Sequence, residues 1–333
     1  MQFKTEVKTD RQTGEKYIEI KGSEELSKVI EIPIEAGEEA LPVRVIGNHA
    51  FSSRKDIEEI CIPDSVHTIL GFAFHNCGNL KKITLSDSIT EYLDGSTRQC
   101  ENLEEIEVFI KRGNYQIIRS ILGDNDRRLR FRIHLPDGEE ALLVFPGFNY
   151  DFVENTMART IQFAIEGTGY AYRECVKSDL VNFREYDSMF SKTSADDPVT
   201  AEMIAMARLL YPYELLDDSK EMYEEWLRTN AAKNLTRKVK ESKDAEDSIL
   251  FYIKRRLLPL AAIADVIRVS VDNDITVITS LLMEYRSSFG NDENNTLSTE
   301  DKEPQNAEES GKKENTDTSV TNIDSGKMLE LDF

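Results

Sequence analysis

The chain has 333 residues, 40% apolar and 31% charged, and its 62 acidic against 41 basic residues give a formal net charge of −21. That length is roughly two domains, and so acidic a field repels phosphate backbones, which argues against a nucleic-acid partner. No apolar run approaches the ~20 residues of a membrane span, the opening MQFKTEVKTDR has no apolar core of a secretory signal, and four cysteines without a CxxC pair are too few for a disulfide scaffold.

The expectation is therefore a soluble protein of a reducing cytoplasm, with no membrane partner. At the N-terminus, FKTEV and KYIEI flank the turn TDRQTGE and predict a hairpin. From Ile46 to Val108 the chain then repeats itself every 23 residues. Ile46 recurs as Ile69, Ala50-Phe51 as Ala73-Phe74, and Ser65-Val66 as Ser88-Ile89. Ile57, Ile60 and Ile62 recur as Leu80, Ile83 and Leu85, and again as Leu103, Ile106 and Val108. Cys77 and Asn79 recur as Cys100 and Asn102. A period of 20–29 points to a leucine-rich-repeat solenoid. Each L-x-x-I-x-I stretch reads as a short strand with alternate residues turned inward. The Ala-Phe pair supplies filler from the opposite wall, and Pro63–Val66 redirects the chain. No unit buries its own face, so the units must stack.

The stretches IGNHAFSSRKDIEEICIPDSV and ILGFAFHNCGNLKKITLSDSI resemble the bacterial surface-antigen (BspA-like) class of leucine-rich repeats over residues 28–110. The resemblance implies a solenoid used as a recognition scaffold and no particular chemistry. The third unit departs from it, with Ser96-Thr97 in place of Ala-Phe, which predicts that the array decays there and ends near residue 110. On each strand the residues alternating with the buried ones form an outward ribbon. Its columns, Glu59, Lys82, Glu105 and Cys61, Thr84, Glu107, are the candidate protein-binding residues. Cys77 and Cys100 occupy equivalent places one strand spacing, ~5 Å, apart. They are expected to be buried, reduced thiols in the solenoid wall.

Residues 111–197 read as a mixed central segment. NYQIIRSIL predicts a short helix ended by Gly123, and LRFRIHL and ALLVFP predict a hairpin around PDGEE. An aromatic-dense stretch follows and contains GTGY at Gly167–Tyr170, which lacks the third glycine of a dinucleotide fingerprint. It is expected to be a tight turn between two strands. The four histidines are scattered, Cys175 has no histidine near it in sequence, and the acidic pairs suit loops and helix starts. No catalytic, cofactor or metal residue is assigned, and no cofactor is expected.

Residues 198–289 carry helical periodicity in MIAMARLL, SKEMYEEWL, NLTRKV, DSILFYIKRRLL, LAAIADVIRVSV and ITVITSLLMEY, with Thr200 and Asp218 as expected N-caps. A 28-residue echo pairs Leu235 with Ile263 and Ile249 with Val277, as in stacked helical hairpins. Residues 290–333 are acidic and poor in apolar positions and predict a disordered tail. Its last residues, GKMLELDF, place Leu329, Leu331 and Phe333 on one side of an extended strand, a candidate docking motif.

The expected fold is α+β: a hairpin plus short solenoid (1–110), the mixed segment (111–197), a helical region (198–289) and the tail (290–333). The expected function is a non-catalytic protein–protein interaction or adaptor module of the bacterial cytoplasm. Two alternatives stand beside it: an enzyme with a site in the aromatic segment at about 150–175, and a surface-exposed recognition protein exported without a standard signal.

Overall fold

The structure, a computed structural model, describes residues 2–155, 160–241 and 244–296. It divides into two compact units, Met1–Tyr223 and Glu224–Phe333.

The 23-residue columns become a two-sheet β-solenoid of about five turns. β1 (Phe3–Thr9) and β2 (Lys16–Ser23) form the expected hairpin, whose turn is held by Asp10 accepting from the backbone N–H groups of Gln12 and Thr13. The coils follow as β3 (Val29–Glu31), β4 (Glu35–Ala36), β5 (Leu41–Ile46), β6 (Glu59–Cys61), β7 (Thr68–Ile69), β8 (Lys82–Ser86), β9 (Glu91–Tyr92) and β10 (Glu105–Phe109). Then come α1 (Gln116–Asp124), β11 (Leu129–His134) and β12 (Glu140–Phe145). One sheet runs β1-β2-β5-β7-β9, with β4 beside β5, and the other runs β12-β11-β10-β8-β6-β3. Coil-to-coil pairs are parallel, as stacking requires, and the antiparallel pairs are β1/β2, β4/β5 and β11/β12.

Ile30, Ile60, Ile83, Ile106 and Phe131 lie in register across the second sheet, and all five are buried. Phe51 and Phe74 meet them from the other wall, stacked at 5.8 Å. Each coil turns through left-handed residues at matching places: His49, Phe72 and Gly95 in one column, Ser53, Asn76 and Gln99 in another. At Gly95 an added Cβ would stand 2.7 Å from Phe72 Cε1, so a larger residue there would have to displace that ring.

The array does not end at residue 110. Ser96 and Thr97 are buried, and α1 closes over them with hydrogen bonds rather than apolar filler. Asp124 accepts from the N–H groups of Gly95 and Thr97 and from Tyr92 Oη, and Asn125 donates to Thr97 Oγ1. The chain then resumes the second sheet with β11 parallel to β10. The predicted 129–145 hairpin is present, but as the last two strands of the solenoid sheet.

β13 (Asn149–Asn155) and β14 (Thr160–Glu166) form a separate two-stranded sheet, followed by α2 (Gly169–Arg173), α3 (Phe183–Ser188), α4 (Phe190–Asp196) and α5 (Pro198–Leu210). GTGY is therefore a strand-to-helix junction and not a turn between strands. Its last glycine is a packing device: a Cβ on Gly169 would stand 2.1 Å from the Pro146 carbonyl oxygen. Buried Arg173 draws the same region together by donating to the carbonyls of Pro146, Gly169, Leu122, Asn125 and Arg127. Tyr186 Oη both accepts from the Val144 N–H and donates to the Val144 carbonyl, which closes the outer edge of β12. Below it, buried Asp187 accepts from Arg208 at 2.8 and 3.0 Å and from Tyr223 Oη at 2.7 Å.

Asp197, rather than Thr200, caps α5 by accepting from the Thr200 N–H. α6 (Asp217–Glu241) fuses two predicted helices into one, so Asp218 lies in its first turn instead of before it. α7 (Ala245–Lys254), α8 (Leu260–Asp272) and α9 (Thr276–Thr296) complete the helices. In the second unit Leu235, Ile249, Tyr252, Ile263, Val266 and Ile278 are buried. The echo holds for Leu235 and Ile263 but slips at Val277, which is 57% exposed where Ile249 is buried.

Candidate functional site

The outward columns of the second sheet are the candidate site. Strand register places Glu59, Lys82, Glu105 and Arg130 side by side, and Glu31, Cys61, Thr84, Glu107 and Arg132 in the next row. All six ribbon residues expected from sequence thus stand on one face. Val29, Glu31, Arg130, Arg132 and His134 belong to it too and were missed. Their strands sit off the 23-residue spacing: Ile30 pairs with Ile60, and Ile106 pairs with Phe131. The alternation in LRFRIH was the available signal for the last strand.

The face has two electrostatically different parts. Towards β11, the charges are committed to one another. Lys82 Nζ reaches Glu105 at 3.0 Å and Glu107 at 2.9 Å, Arg130 pairs with Glu105 at 2.7 Å, and His134 lies 2.9 Å from Glu107 and 3.1 Å from Glu140. Arg132 donates to Tyr211 Oη at 2.7 Å, and Phe109 stacks on His134 at 4.2 Å. Burial pulls the Glu105 and Glu107 carboxyls upward. The hydrogen bonds from Lys82, with Arg130 on Glu105 and His134 on Glu107, outweigh that pull and hold both below the usual carboxylate range. Such cross-strand pairs fix side chains in place in advance of any partner. Towards β3, Glu31 and Glu59 are exposed and Cys61 is half-buried. Burial, followed by the charges of Glu31 and Glu59, pushes the Cys61 thiol up and away from reactivity.

Cys77 and Cys100 are buried free thiols, as expected. Each donates to a carbonyl of the preceding coil, Cys77 to Phe51 at 3.1 Å and Cys100 to Phe74 at 3.2 Å. Cys175 is also buried and free, and burial pushes its thiol up to about 12. In the central segment a cleft of about 650 Å³ is lined by Asp126, Arg127, Phe148, Glu166, Asp196 and Asp197 among others. Leu329, Leu331 and Phe333 lie outside the described residues.

Parallel strands stacked in register, with a buried isoleucine column and an outward polar ribbon, define a leucine-rich-repeat solenoid. Residues 35–120 match the family described as BspA type leucine rich repeat region, in six copies, so this part of the chain is an array of that type. Arrays of this type point to a protein-interaction or surface-recognition role. No curated protein matches the chain. Among solved structures, a leucine-rich repeat protein from Bacteroides ovatus is 22% identical over 32% of this chain and 30% of its own, with a TM-score of 0.26. One from Bacteroides capillosus is 24% identical over 32% of this chain and 79% of its own, with a TM-score of 0.28. A leucine rich cell surface protein from Faecalibacterium prausnitzii is 22% identical over 32% and 31%, with a TM-score of 0.26. The matched part thus spans about a third of the length of the first and third of these.

Proposed function

We propose that the chain is a non-catalytic protein-binding adaptor of the bacterial cytoplasm, and that the ribbon of the second sheet is its recognition face. One observation carries the reading: five strands hold their backbones in register, so the outward columns stand at regular spacing on one rigid face for a partner surface to meet. The half open to a partner is the acidic end, Glu31, Glu59, Cys61 and Thr84, since Lys82, Glu105 and Glu107 are committed to one another. A basic protein surface fits it. The cytoplasmic placement rests on the free thiols and on the acidic, membrane-span-free sequence. Leu329, Leu331 and Phe333 form the second proposed contact.

The test is affinity. With a partner captured on the full chain, Glu31→Lys/Glu59→Lys should weaken binding at least tenfold while the melting temperature stays unchanged. Equal affinity in the two proteins would remove the ribbon from the interface.

A further inference from the structure

A sheet exposes unpaired backbone at its ends unless something covers it. In the second sheet the β12 end is sealed by Tyr186, which bonds both backbone groups of Val144. The other end is β3, and among the described residues it pairs only with β6. Glu59 N–H donates to the Lys28 carbonyl and Ile32 N–H to the Cys61 carbonyl, so the parallel ladder uses Lys28, Ile30 and Ile32. The backbone groups of Val29 and Glu31 therefore point away from β6. Of these, the Val29 carbonyl accepts from Ser27 Oγ at 2.8 Å.

The charge along this edge has one sign. Further along the sheet, each outward carboxylate meets a cation on an adjacent strand. Glu105 takes Lys82 at 3.0 Å and Arg130 at 2.7 Å, and Glu107 takes Lys82 at 2.9 Å. Glu31 ends the row of Cys61, Thr84, Glu107 and Arg132 with no strand on its outer side. Lys28, the cation nearest to it in sequence, is committed to Glu58 at 2.7 Å. Among the described residues neither Glu31 nor Glu35 has a cation partner. A cleft of about 700 Å³ lies beside the edge, and Glu31 and Glu35 are the only charged residues lining it. The rest of its lining mixes apolar Phe3 and Pro33 with polar Thr5 and Ser27. A part-apolar, acidic cleft suits long basic side chains, whose stems pack on apolar surface while their heads reach the carboxylates.

β11 shows what such a strand looks like within this sheet. Its LRFRIH turns Arg130 and Arg132 outward and buries Phe131 and Ile133. We propose that the β3 edge takes an extended segment of a partner protein in which basic and apolar residues alternate, added as a further strand of the second sheet. Its backbone bonds Val29 and Glu31, and its basic residues supply the cations that Glu31 and Glu35 lack. A second copy of this chain fits poorly, because it brings the same acidic edge and another net charge of −21.

The inference goes beyond the ribbon reading, since it uses the backbone edge and not the side chains of Glu59 and Thr84, and either can fail alone. The probe is an eight-residue peptide alternating arginine and valine, titrated against the full chain, with a glutamate–valine peptide of the same alternation as control. The arginine–valine peptide should bind with a Kd below about 1 mM, and the control at least tenfold more weakly. Val29→Pro removes one outward N–H, keeps every charge and leaves the bonds of Lys28, Ile30 and Ile32 to β6. Proline is tolerated on an outer edge, and the variant should bind the arginine–valine peptide at least tenfold more weakly than the parent. Backbone hydrogen exchange on the parent is the second measurement: saturating peptide should slow the Val29 and Glu31 N–H groups at least tenfold. Equal affinity in parent and Val29→Pro, or unchanged exchange at both positions, would reduce the binding to general attraction of a cation and overturn the proposal. Absence of binding at that concentration would overturn it too.

Discussion

Cys77 and Cys100 show how a repeat position becomes a chemical property. Matched places in adjacent coils suggest two sulfurs in contact, yet each thiol instead donates to the phenylalanine carbonyl one coil back. Burial pushes Cys77 up to about 11 and Cys100 up to about 12. At pH 8 the thiolate is then on the order of one part in a thousand or less. A water-soluble thiol reagent at that pH should leave both unlabelled in the native protein and label both after denaturation. Rapid native labelling would show that the wall is open. Asp56 makes the complementary case for an acid. Hydrogen bonds from Arg54, helped by the Ser27 N–H, hold its carboxyl at about 2. Arg54 in turn donates to the carbonyls of Ser23 and Glu25, so the pair fastens the first coil to the second. Because the folded value is depressed, the stabilisation is complete above the unfolded carboxylate pKa of ~3.9 and is lost as pH falls towards 2. Urea midpoints measured from pH 6 to 2 should therefore fall less steeply for Asp56→Asn than for the parent.

The isoleucine column is the property of an element rather than of any one strand. Ile83 is buried between Ile60 and Ile106, in register with both, so Ile83→Ala leaves a cavity in the middle of the stack and should cost ~2–5 kcal/mol in denaturant unfolding. A parent-like curve would contradict the packing. Around α3 and α5 the governing interaction is ionic. Asp187 and Arg208 are buried together, and burial opposes the guanidinium charge while the Asp187 hydrogen bonds restore it, leaving its pKa raised. Asp187→Leu alone strands that charge and should cost ~3–5 kcal/mol, whereas Asp187→Leu/Arg208→Met should recover part of the loss. What was legible from sequence follows the same division. Coils two to four repeat at a fixed offset, so their buried and outward columns could be named residue by residue. β3 and β11 could not, because an insertion and α1 change the spacing while the hydrogen-bonded register continues. The buried Asp187–Arg208 pair left no trace in the pattern, since its partners are 21 residues apart on different helices. SKEMYEEWL and NLTRKV read as separate helical stretches, but α6 runs through both because Arg228, Thr229 and Asn230 between them are tolerated on a helix surface.

At the scale of the whole molecule, a net charge of −21 is spread over a chain whose ribbon is nearly balanced towards β11 and acidic towards β3. The solenoid supplies the rigid scaffold, and the acidic half of the ribbon is where a second molecule can add contacts without displacing existing ones. The central claim is that this ribbon, and not the corners of the coils, meets the partner. A photo-crosslinking amino acid placed singly at Glu59, at Thr84 and, on a corner between the sheets, at Lys55 tests that directly in the full chain. Adducts with one and the same partner protein from positions 59 and 84, and none from position 55, are the predicted result; adducts from position 55 with none from 59 or 84 would contradict the account.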